Sequence, residues 1–76
     1  MAAGMLVLQP GEKDTQVSHD SDEVYFILKG DGFLKIKYMD YPISENKIYF
    51  VGKKQHFFHE NSKELIVLYF FDGPDS

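Results

Sequence analysis

The chain contains no cysteine and no arginine. Without cysteine there is neither a disulfide framework nor a thiolate metal centre, so a metal would have to be held by imidazole and carboxylate groups. Without arginine, bidentate recognition of phosphate or carboxylate lacks its usual residue. Eight lysines face twelve acidic residues, for a net charge of −4. That balance offers no basic stripe to neutralise a nucleic-acid backbone and argues against such a partner. No apolar run approaches the roughly 18 residues of a membrane span. The opening "MAAGMLVLQPG" also lacks the basic n-region and long apolar stretch of a signal peptide. The expectation is a cytoplasmic protein with neither nucleic acid nor membrane as partner.

What is abundant points to strands. Seven Phe and five Tyr occur in 76 residues, and aromatics favour pleated, half-buried surfaces. Residues 1–76 read as one domain, small enough that a metal, a partner subunit or an unusually apolar core is expected to add to its stability. Gly and Pro punctuate short apolar runs, with no repeat or linker between them. Strands are expected over 5–9, 15–18, 23–29, 33–38, 47–51, 56–60 and 64–71. "MDYPISEN" between the fourth and fifth reads as a turn-rich connection, because Pro42 cannot donate to a central ladder. About seven short strands without helical periodicity predict an all-β sandwich or barrel.

One stretch carries chemistry. "HDSDEVYFILKG" places His19 four residues before Glu23, at the mouth of the strongest expected strand. Gly11, Val17, His19, Glu23 and Gly30 follow the spacing G-x5-H-x-H-x3-E-x6-G, with Val17 where the first histidine belongs. This is the first cupin motif, and the sequence resembles a small single-domain cupin. The second motif, G-x5-P-x-G-x2-H-x3-N, survives only as His56; Glu45, Val51, Lys53 and Glu60 occupy its other positions. The resemblance runs from Gly11 to Pro74. It implies a small double-stranded β-helix, a jelly-roll barrel, with a divalent metal held inside by histidines and the glutamate. Cupins include dioxygenases, isomerases, decarboxylases and proteins without known chemistry, so the resemblance speaks to fold more than to activity.

By that resemblance His19, Glu23 and His56 form a 2-His-1-carboxylate set. Such a set leaves coordination positions open and suits Fe, Mn, Ni, Zn or Cu. Residues two or four apart on a strand share a face, so Val17, His19 and Glu23 can all point inward. The same residues have plainer readings: His19 fits a solvated turn with Asp20, Ser21 and Asp22, and Glu23 fits a surface position. Facing inward, however, a carboxylate without a counter-charge costs several kcal/mol. His59 lies three residues from His56, which on a regular strand places it on the opposite face. Tyr25, Ile27, Phe50 and Phe58 share inward parity with the ligand set. Together with Val17 they are expected either to line a small pocket or to fill the barrel. The expected function is metal binding with a small-molecule ligand, either as a metal-dependent enzyme or as a binding module without turnover. A structural cupin with a decayed site is the third reading, and Val17 speaks for it.

"LIVLYFF", residues 65–71, does not alternate with polar residues, so both faces of that strand should be covered. A homodimer through the outer face is expected; the alternative is that the N-terminal strand folds back over it.

Overall fold

A computed structural model describes residues 2–15, 21–53 and 55–72. Seven strands make up the fold: β1 (Ala2–Leu8), β2 (Glu23–Lys29), β3 (Gly32–Ile36), β4 (Met39–Ile43), β5 (Ile48–Val51), β6 (His56–His59) and β7 (Leu65–Phe71). They form two sheets, one ordered β1-β7-β2-β5 and the other β4-β3-β6, with antiparallel pairing throughout. There is no helix among the described residues, and so none long and apolar enough to cross a membrane.

The core lies between the sheets and follows directly from period-two alternation. On β2, Glu23, Tyr25 and Ile27 are buried while Val24 and Phe26 are only half-buried. Leu65 and Val67 of β7, Leu34 of β3, Phe58 of β6, Leu8, Ile43 and Val51 complete the buried apolar set. Each such side chain contributes about 1.5–3 kcal/mol by leaving water. Two glycines turn the chain between β2 and β3. Gly30 (φ 109°) and Gly32 (φ 123°) take positive φ, and a Cβ on Gly30 would stand 2.6 Å from the Glu64 carbonyl oxygen. Asp31 between them reaches the β6–β7 turn, its carboxylate accepting the Ser62 N–H at 2.7 Å and the Ser62 hydroxyl. Asn61, buried in that same turn, donates to the Leu8 carbonyl at 3.0 Å and to that of Lys63 at 2.8 Å.

The all-β barrel matches the expectation, and one strand assignment needs correction. Met39–Ile43, expected as a connection, is a strand. Pro42 is tolerated there because β4 is the edge of its sheet, paired only with β3, where a missing N–H removes no ladder bond on the open side. The strand expected at 15–18 begins at Thr15, which lies outside any strand; residues 16–18 lie outside the described residues.

Candidate metal centre

Both sheets send polar side chains into the interior at one place. β2 turns Glu23 and Tyr25 inward because they are two residues apart, and β6 does the same with His56 and Phe58. Glu23 is 2% exposed, His56 5% and Tyr25 0%. The three functional groups meet. His56 Nε2 lies 3.1 Å from Glu23 Oε1. The Tyr25 hydroxyl donates to Glu23 Oε1 at 3.0 Å and lies 2.5 Å from His56 Nε2. The Tyr25 ring is fixed edge-on against His56 (centroids 5.6 Å, 75°) and Phe58 (5.0 Å, 84°). Burial of a carboxylate is costly unless polar partners offset it, and here the Tyr25 hydroxyl and the His56 ring nitrogen both lie beside Glu23 Oε1.

The donor chemistry fits a divalent ion. A carboxylate oxygen and an imidazole nitrogen, each bonding at about 2.0–2.2 Å, stand roughly 3 Å apart when adjacent around one ion, which is the separation seen for Glu23 and His56. Among the described residues, no group of three or more His, Cys, Asp or Glu side chains comes together. His19, the remaining expected ligand, and Val17 lie outside the described residues.

Of the expected pocket residues, Tyr25, Ile27 and Phe58 are fully buried beside the site and fill the interior. Phe50 is a correction: it is 81% exposed. The β2–β5 register pairs Glu23 with Val51 and Val24 with Phe50, so Val51 points inward and Phe50 outward. Phe50 instead borders a cleft of about 510 Å3 at the flank of the barrel, with Leu34, Ile36, Tyr41, Ile48 and Tyr49 among its other walls. His59 faces outward, as its parity predicts. Its Nε2 lies 2.8 Å from Asp40 Oδ1, and this hydrogen bond holds the Asp40 carboxyl below the usual carboxylate range. Tyr25 is the residue whose part in the polar cluster sequence reasoning missed, having placed it only as an apolar wall. The signal was its position two residues after Glu23.

At the near side, Asp14 Oδ2 accepts the Phe58 N–H at 2.9 Å, tying the 11–15 stretch to β6 beside the cluster. Two facing antiparallel sheets around such a cluster define the architecture: the chain has the fold of a small cupin domain. Solved structures with this fold include a predicted oxalate decarboxylase from Thermotoga maritima (TM-score 0.74, 24% identity, 91% of this chain and 63% of that one). A cupin protein from Bacteroides fragilis (TM-score 0.73, 16% identity, 97% and 68%) and a conserved protein of unknown function from Streptococcus pyogenes (TM-score 0.76, 19% identity, 100% and 68%) share it. The chain thus spans somewhat under two thirds of the Thermotoga protein's length. No family model matches the sequence. An uncharacterized protein of Streptomyces coelicolor is 31% identical over 77 residues, covering all of this chain and 73% of the relative; the chain belongs to the family of that protein.

Proposed function

We propose that this cupin binds one divalent metal ion between its sheets, through Glu23 and His56, with His19 as a further ligand by the spacing of its motif. The observation that carries the reading is the buried carboxylate and imidazole converging to 3.1 Å from opposite sheets. Such an ion supplies Lewis acidity and open coordination positions for a small oxygen-bearing ligand. The neighbour named as a predicted oxalate decarboxylase makes small organic acids the first class to screen, in the setting of a chain that spans 63% of that protein. The interior beside the site is filled by Tyr25, Ile27 and Phe58, so a ligand reaching the ion has to be small.

A second reading is favoured by the Tyr25 hydroxyl, which bonds to both Glu23 and His56. In that reading the cluster is a self-satisfied polar knot in a structural or non-catalytic cupin. Metal analysis of protein purified without chelator separates the two. About one equivalent of a divalent ion is expected, with most of the occupancy lost in Glu23→Ala, His56→Ala and His19→Ala. Unchanged occupancy in all three variants would refute the site, and a metal-free wild type that takes up no added ion would favour the second reading.

A further inference from the structure

We propose that the hydroxyl oxygen of Tyr25 is a protein donor to the metal ion, so that β2 and β6 together build a carboxylate, imidazole and phenolate site; this rests on the metal-binding reading above. Tyr25 follows Glu23 by two residues on β2, a strand with neighbours on both sides. The two side chains therefore project to the same face from a backbone held by both β7 and β5. The three donor atoms form a triangle with edges of 3.1, 3.0 and 2.5 Å. Adjacent ligand atoms around an ion with bonds of about 2.0–2.2 Å lie roughly 3 Å apart. Two edges already have that length. The third is the length of a hydrogen bond between a hydroxyl and a ring nitrogen, and it has to lengthen when an ion takes the place of the shared proton.

The ring cannot easily swing away. It is fully buried, with His56 on one edge contact and Phe58 on another, and close-packed interiors hold such side chains in one rotamer. The hydroxyl therefore stays beside the carboxylate and the imidazole whether or not an ion is present. The motif position at which a histidine is replaced by Val17 has lost a donor, and Tyr25 returns one from the other side of Glu23. On coordination the phenol O–H bond breaks, as does any N–H bond at His56 Nε2, the protons pass to solvent, and a lone pair on each atom forms its bond to the metal. No electron changes hands. The donors from β2 and β6, two oxygens and one nitrogen without sulfur, suit iron, manganese or copper.

Copper(II) is the probe, because phenolate bound to it gives a visible charge-transfer band that carboxylate and imidazole do not. Metal-free, tag-free protein is titrated with Cu(II) while absorbance and resonance Raman spectra are recorded. The expected result is a band that grows to one equivalent and carries tyrosinate ring modes, which shift in protein grown on ring-deuterated tyrosine. Tyr25→Phe, which keeps the ring and its packing, should lose the band and bind at least tenfold more weakly, whereas Tyr49→Phe should retain both. Binding of one equivalent with no tyrosinate band in the wild type would overturn the assignment while leaving the metal reading in place, and this result does not depend on the variant folding. A Tyr25→Phe variant that titrates like the wild type would overturn it in the same way. Absence of saturable binding to the wild type would overturn both readings together.

Discussion

At the scale of single residues, position on the strand decides more than residue type. Phe57 and Phe58 are neighbours in sequence, yet Phe57 is 42% exposed and Phe58 is 1% exposed against Tyr25. Truncating a buried phenylalanine costs about 3–5 kcal/mol, because the transfer term and the cavity term add. Surface substitutions usually stay within about 0.5 kcal/mol. Phe58→Ala is therefore expected to lower the urea midpoint sharply, and Phe57→Ala to leave it nearly unchanged; equal effects would contradict the facing of β6. The inward orientation of Phe58 was legible because it follows His56 by two. The outward orientation of Phe50 was not. Whether an odd or an even residue of "KIYFV" points inward depends on which residue of β2 it pairs with, and the pairing of Glu23 with Val51 is a long-range fact that no local pattern encodes. Glu23 and His56 were legible for the opposite reason: their chemistry is rare inside a barrel, so matching spacing was informative. The contact of Tyr25 with both was not, since a tyrosine at an inward position reads first as packing.

At the scale of elements, six of the seven strands were visible as aromatic or β-branched runs bounded by turn residues. The exception, β4, was hidden because "MDYPI" combines a proline with an acidic residue, and only its place at a sheet edge makes both acceptable. The turns carry their own interactions, and these give the fold a pH dependence. The Asp31 carboxyl is held below its ordinary value of 3.8, first by the Ser62 hydroxyl and then by the Ser62 N–H. Glu64, the residue before β7, is held below 4.5 by its hydrogen bonds from Gln9 and Lys29. A carboxyl with a folded pKa lower than its unfolded one stabilises the fold when ionised. That contribution is present in full at pH above the unfolded values, and it is lost as pH falls through the depressed folded values. Asp31→Asn should therefore flatten the fall in melting temperature below pH 3.8 while leaving the shape of the profile above about pH 5 unchanged. Parallel acid profiles for wild type and variant would show that the clamp between the β2–β3 and β6–β7 turns does not contribute to stability.

At the scale of the whole molecule, the outer face of the four-stranded sheet poses the remaining question. Cross-strand partners lie on the same face, and the registers align Ala3, Phe70, Val24 and Phe50 in one row and Met5, Leu68, Phe26 and Ile48 in the next. Neither row contains a charged or hydrogen-bonding side chain. Met5 is 60% exposed, Ile48 58% and Phe50 81%. The sequence suggested this surface from β7 alone, with a homodimer expected to cover it and the N-terminal strand folding back over it as the alternative. Instead, β1 pairs along the edge of β7 in the same sheet, so it widens the apolar face rather than shielding it. Four strands at about 4.8 Å spacing and some 20 Å of strand length give a face on the order of 400 Å2. That is near the upper end of what a monomer exposes, yet about half of the roughly 800 Å2 per partner in a standard interface. A second copy apposing these two rows in two-fold symmetry would cover them without desolvating a charge, and the modest area makes the expected dimer dissociable. Light scattering after size exclusion should find a mass near twice 8.8 kDa at high concentration, falling on dilution. The facing of β7, with Leu65 and Val67 fully buried, leaves Ile66, Leu68 and Phe70 outward, so Leu68→Lys should give a folded monomer and Val67→Lys an unfolded chain. A mass of 8.8 kDa throughout a hundredfold dilution series would rule out self-association, leaving the face to a partner other than this chain.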